Sequence, residues 1–219
     1  MVKLYFLGGG DKADKVIRSN YRKIIKSNKN PSLLLLAWAT DDIEKMKYYK
    51  PIMFDFFRSL GVNKIIYADI NDSYEILKRK IKKSNMLYIP GGLPDVLLRN
   101  INKKKIGEII KKYDGTIFGS SAGALVFCDK YIILRGQDGE PKTKFVKGLG
   151  LANISVSVHY RSLVKHLGGE TPVNDLRIFS KKRKIYSIPE ESMIYYDGNI
   201  KVFGKVYLFD KGKKIRVKN

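Results

Sequence analysis

Ser121 stands at the centre of "GSSAG", residues 119–123, a match to the pattern Gly-x-Ser-x-Gly. That spacing does chemistry where a strand turns sharply into a helix. The turn thrusts one hydroxyl outward and points backbone N–H groups of the new helix towards the carbonyl it attacks. Gly119 and Gly123 would let strand and helix pack closely around the turn, with Ser120 pointing back into the fold. A serine hydroxyl needs a base to become a nucleophile, and the chain has two histidines. His166 ends a short helical stretch, where a cation near a helix C-terminus is sufficient explanation. His159 closes the alternating run "NISVSVHY", where a strand gives way to a loop, and sites in open α/β sheets gather beyond the carboxyl ends of strands. His159 is therefore the better-placed base. Three carboxylates could orient it. Glu190 and Glu191 follow a strand-like run and a proline in "YSIPEES", and Asp138 lies between serine and histidine in "LRGQDGEP", where Asp-Gly also suits a hairpin turn. No histidine lies beyond position 166, which argues against the serine–acid–histidine order of α/β-hydrolases.

These side chains need a rigid frame. Runs at 3–7, 32–39, 64–68, 86–90 and 116–120 are nearly continuous in apolar residues, as strands of a parallel sheet covered on both faces are. Amphipathic stretches at 11–27, 42–60, 72–83 and 94–112 alternate with them as helices, the second expected to kink or restart at Pro51. The alternation predicts an α/β fold with an open, mostly parallel sheet, helices on both faces and right-handed crossovers. After residue 130 come short strand candidates at 131–136, 153–160, 177–180, 184–188, 192–197, 201–204 and 205–210. "YYDGNIKVF" reads as a hairpin turning at Asp197-Gly198 or Gly198-Asn199, so C-terminal β-hairpins are expected. With no long linker or internal repeat, a single domain over 1–219 is expected.

Composition narrows the function classes. No apolar run approaches the roughly 20 residues a bilayer span needs. The opening "MVKLYFLGGGD" turns polar too soon for a secretory signal, and the lone Cys128 permits neither an internal disulfide nor a multi-cysteine metal site. A cytoplasmic location without a membrane partner is the expectation. Lys and Arg total 43 against 21 Asp and Glu, a formal charge of +22 that attracts anions in general. The lysines are spread over most helices and turns, the pattern of a solvated surface rather than one polyanion patch, so nucleic acid is not the expected partner.

Four stretches, taken together, resemble the serine peptidases of the aspartyl dipeptidase (peptidase E) and cyanophycinase group. "MLYIPGGLPDVLLRNI" (86–101) resembles that group's strand, Gly-Gly turn and helix, and "GSSAGA" (119–124) its nucleophile motif. "GLGLANISVSVHY" (148–160) resembles the strand ending in the base, while "YSIPEES" and "GKVYLFDKGKK" resemble the acid segment and closing strands. The resemblance implies a class I glutamine amidotransferase-like fold with flavodoxin-like layers. It implies Ser121 as nucleophile, His159 as general base and Glu190 as orienting acid, with Glu191 a bystander and the backbone N–H groups of Gly92 and Ala122 as oxyanion hole. Gly91 and Arg177 would touch substrate. Cys128, seven residues beyond the serine, is expected in the core.

Leu93-Pro94-Asp95 departs from the polar continuation expected after Gly92, and Val158 stands where a proline often precedes the base. Beyond the base, Arg177 is the arginine expected to serve an acidic substrate. The resemblance thus covers the hydrolytic machinery more fully than the recognition of aspartate. Cyanophycin fits less well, because its arginine-rich side would meet a chain of charge +22. The expected activity is hydrolysis of short peptides, aspartyl dipeptides among them, with no cofactor or metal, by a monomer or homodimer. The alternatives are a pseudoenzyme on the same fold and a basic nucleic-acid-binding module.

Overall fold

The structure is a computed structural model that describes residues 2–166 and 169–218. Strands β1 (Lys3–Leu7), β2 (Ser32–Leu35), β3 (Lys64–Tyr67), β4 (Met86–Ile89) and β5 (Thr116–Ser120) form a parallel array in the order β1-β5-β4-β2-β3. Their side chains alternate between two apolar layers: Leu4, Phe6, Leu87, Ile89 and Ile117 enter one, Tyr5, Leu7, Met86, Tyr88 and Phe118 the other. Helices α1 (Lys15–Lys26) and α2 (Ile43–Arg58) cover the second layer with Ile17, Tyr21, Ile24, Phe56 and Phe57. Helices α3 (Tyr74–Lys82), α4 (Pro94–Lys103), α5 (Gly107–Lys111) and α6 (Ala122–Val126) cover the first. Apolar side chains on both faces are why these strands read as continuous apolar runs.

Past residue 129 the chain builds something the sequence did not suggest. A hairpin of β6 (Lys130–Ile133) and β7 (Lys144–Lys147) leads to β8 (Ser155–Val158), α7 (Tyr160–His166), α8 (Glu170–Ser180) and β9 (Ile185–Ile188). Strands β10 (Met193–Tyr196) and β11 (Ile200–Phe203) then add antiparallel to the edge of the main sheet at β1. The closing pair β12 (Tyr207–Asp210) and β13 (Lys213–Arg216) joins β9 and β8 in a separate four-stranded sheet, ordered β13-β12-β9-β8. Within it β8 and β9 run parallel, with Val158 opposite Ile188. The expected hairpins at the C-terminus are present, but they serve two sheets.

Several boundaries differ from expectation for local reasons. Helix α1 starts at Lys15 because the Asp14 carboxylate accepts from the amides of Val16 (2.8 Å) and Ile17 (3.0 Å), leaving residues 8–13 as a loop. Helix α2 passes through Pro51 as one element. The stretch 94–112 breaks where Lys105 adopts φ 55° between α4 and α5. Residues 177–180, expected as a strand, are the last turn of α8, where Leu176 packs with Leu163 and Phe209. Among the described residues, no helix is long and apolar enough to cross a membrane.

Candidate active site

Four carboxyl ends of the parallel array meet at one edge: the loops after β1, β5, β4 and β2. Ser121 follows β5 and holds φ 54°, ψ −117°, a conformation costly for a residue with a Cβ. Its amide donates to the carbonyl of Leu7 at the end of β1 (3.2 Å), and its carbonyl accepts from Leu125 in α6 (3.0 Å). The small residues around it are a steric requirement. A Cβ on Gly119 would lie 2.4 Å from the backbone carbon of Gly123, so the strand and helix close up only as glycines. Ser120 is buried beside the Tyr21–Tyr88 hydroxyl pair (2.9 Å), pointing inward as expected. Cys128 is fully buried, and burial pushes its thiol up to about 12.

The second sheet supplies the facing groups. His159 leaves β8 with φ 55°, its amide donating to the carbonyl of Gly8 (3.0 Å). Its Nε2 lies 2.8 Å from Ser121 Oγ, a distance at which a neutral imidazole accepts the hydroxyl proton. Burial holds the imidazole below its usual 6.5, although the charges of Glu190 and Asp138 pull the other way. Glu190 follows β9, the parallel neighbour of the strand that carries the histidine, so one register sets both residues at the same edge. Its Oε1 accepts from the Ser162 amide (3.0 Å); among the described residues its buried Oε2 has no hydrogen-bond partner. Burial would raise this carboxyl, yet hydrogen bonding from Ser162 and the charge of His159 keep it below its ordinary value.

Glu191 is directed elsewhere, into an ion pair with Arg161. Asp138 sits in an exposed turn before β7 and reaches His159 through charge alone.

The other expected site residues divide. A Cβ on Gly91 would stand 3.2 Å from Ser121 Cβ and 3.6 Å from Oγ, so this residue borders the nucleophile. Gly92 has φ 137°, and a side chain there would strike the Ala39 carbonyl at 2.4 Å. Among the described residues, neither the Gly92 nor the Ala122 amide donates a hydrogen bond, which leaves both donors free for an oxyanion. Arg177 is not brought to this edge. It is exposed near the end of α8, where its carbonyl accepts from Ser180 Oγ (2.8 Å) and faces Gly212 between β12 and β13.

Sequence reasoning passed over the loop after β1. Gly9 has φ 111°, and a Cβ on it would fall 2.1 Å from Cε1 of His159, so the imidazole lies flush against the backbone. Gly10 similarly faces the Glu190 side chain, at 3.0 Å from its Cβ. The signal is the glycine run "GGG" at 8–10, directly after an apolar strand.

A serine on a strained elbow, a neutral histidine against it and two free amides together form the arrangement of a serine hydrolase. The chain belongs to peptidase family S51, whose model matches residues 4–202, and that membership supports a serine peptidase. The fold agrees with two solved structures. One is a peptidase from an acI-B1 Actinobacterium, 17% identical, covering 99% of this chain and 94% of that one at a TM-score of 0.77. The other is a peptidase E protein from Listeria monocytogenes EGD-e, also 17% identical, covering 93% of this chain and 98% of that one at 0.69. No curated protein matches the chain by sequence.

Proposed function

We propose that the protein hydrolyses short peptides by acyl transfer through Ser121, His159 and Glu190, with N-terminal aspartyl dipeptides as the first candidates. The observation that carries this reading is the 2.8 Å approach of His159 Nε2 to the hydroxyl of a serine held at φ 54°. Ser121 Oγ attacks the peptide carbonyl carbon while Nε2 takes its proton, and the carbonyl oxygen becomes an anion beside the Gly92 and Ala122 amides. Such donors contribute roughly 10²–10³ each in rate. The tetrahedral intermediate collapses as the imidazolium returns the proton to the departing amine nitrogen. Water then attacks the acyl-enzyme by the same route and releases the acid and Ser121. Glu190 stabilises the imidazolium formed twice in the cycle, in keeping with its charge acting on His159 in the resting state.

Short substrates are favoured by the small cavity beside Gly91, about 200 Å³. The test is hydrolysis of a dipeptide panel, Asp-X beside neutral and basic N-terminal residues, by wild type and Ser121→Ala. Cleavage that vanishes in Ser121→Ala is the expected result; an undiminished rate in that variant excludes Ser121 as the nucleophile.

A further inference from the structure

The cavity beside Gly91 has features that hydrolytic machinery does not require. Its walls come from the β1 loop (Lys12), the segment after β2 (Thr40), the first turns of α2 (Lys45, Met46 and Tyr49) and Gly91 itself. Gly91 borders Ser121 on one side and the cavity on the other. Two of these residues are cations, and none of the residues lining the cavity is acidic.

Lys12 is half-buried, and among the described residues it makes no hydrogen bond or ion pair. Burial holds its ammonium below the ordinary lysine value, with adjacent Asp11 pulling back. The carboxylates nearest in sequence are already engaged. Asp11 accepts from the Ala13 amide (2.9 Å), Asp42 accepts from the Lys45 amide (2.9 Å), and Asp41 pairs with Arg99. A desolvated cation without a partner is costly in a folded protein unless an anion from outside completes it. The neighbouring side chains suit the stem of such a ligand, since Met46 is buried and Tyr49 presents a ring.

The position also selects a side of the scissile bond. The departing amine must lie within reach of His159 to receive its proton. The cavity is lined by neither His159 nor any residue of α7, so it faces the acyl half. Resting on the peptidase reading above, we infer that this cavity receives the side chain on the acyl side of the scissile bond, and that Lys12 binds a carboxylate there. Lys12, not Arg177, is then the residue that sets a preference for acidic substrates, with Lys45 adding a more exposed second charge.

The test separates this inference from the catalytic one by measuring binding without turnover. Calorimetric titration of Ser121→Ala protein with free L-aspartate and L-asparagine compares two acyl-side products that differ in side-chain charge. Aspartate should bind roughly 10- to 100-fold more tightly than asparagine. Lys12→Met, added to the same protein, should remove that preference while leaving asparagine binding unchanged, which also shows that the pocket remains folded. Equal binding of the two ligands, no aspartate binding at millimolar concentration, or an unaltered preference in Lys12→Met each overturns the assignment. Lys12-dependent aspartate binding in a protein that cleaves no peptide would retain this site and remove the peptidase reading. Ser121-dependent cleavage indifferent to substrate charge and to Lys12 would do the reverse.

Discussion

The nucleophile and the base reach the site from two differently built regions. Ser121 grows out of the middle of the parallel sheet, where β5 has neighbours on both sides and apolar layers above and below. Its strain is held by a packed environment that cannot relax, with Gly119 against Gly123 and the Leu7 carbonyl fixing its amide. His159 and Glu190 come from the four-stranded sheet, at the ends of its parallel pair, and both remain half-exposed. The β1 loop joins the two regions. Leu7 bonds Ser121, Gly8 bonds His159, Gly9 lies under the imidazole and Gly10 faces Glu190. Rigidity is invested in the attacking atom, while the proton-handling groups are positioned by one short contact strip.

Substitutions can test that contrast, beginning on the nucleophile side. Ser121→Ala should lower kcat/KM by roughly 10⁴–10⁶ with folding intact, as removal of an activated serine does elsewhere. The contact strip comes next. Gly9→Ala places a Cβ inside the His159 ring position, so it should cost roughly 10²-fold or more in kcat through misplacement of the base. Gly61→Ala is the matched control, because Gly61 shares a positive φ (94°) but has open space around it. It should lower stability by about 1–2 kcal/mol and leave kcat unchanged. Equal kinetic effects of the two glycine variants would contradict the role given to the strip.

Smaller effects belong to the acids. Wild-type kcat/KM should rise with pH through an acid limb below 6.5, because burial favours the neutral, proton-accepting His159. Glu190 raises the affinity of His159 for its proton, so Glu190→Gln should move that limb to lower pH. It should also reduce kcat/KM by roughly 10–10²-fold through a less stabilised imidazolium. Asp138→Asn should shift the limb in the same direction but less, with the plateau nearly unchanged. The smallest effect is expected from Arg161→Met. Loss of its exposed pairing with Glu191 should leave the thermal unfolding midpoint nearly unchanged.

The two regions were unequally legible in the sequence. The first five strands and the elbow could be read because period, apolar content and glycine placement all reflect burial on both faces of one sheet. The α4–α5 break could not, since Lys105 in a left-handed conformation leaves no compositional mark. Residues 177–180, a short strand candidate, form a helix end, because the packing of Leu176 with Leu163 and Phe209 overrides so short a pattern. Ser121, His159 and Glu190 are legible in the sequence as candidates, but that they arrive from two sheets depends on the long-range pairing of β8 with β9. Lys12 was one lysine among many, and only its burial without a partner distinguishes it. Arg177 was chosen from its position along the chain, and the fold carries it to the far end of α8.

The central claim is that His159 activates Ser121. It is tested most directly by treating the native protein with a fluorophosphonate, which reacts with activated serine hydroxyls, and locating the adduct by peptide mass spectrometry. A single adduct on Ser121, lost in His159→Ala and suppressed as the pH falls through the acid limb, is the predicted result. An unlabelled Ser121, or labelling that persists undiminished in His159→Ala, would contradict it.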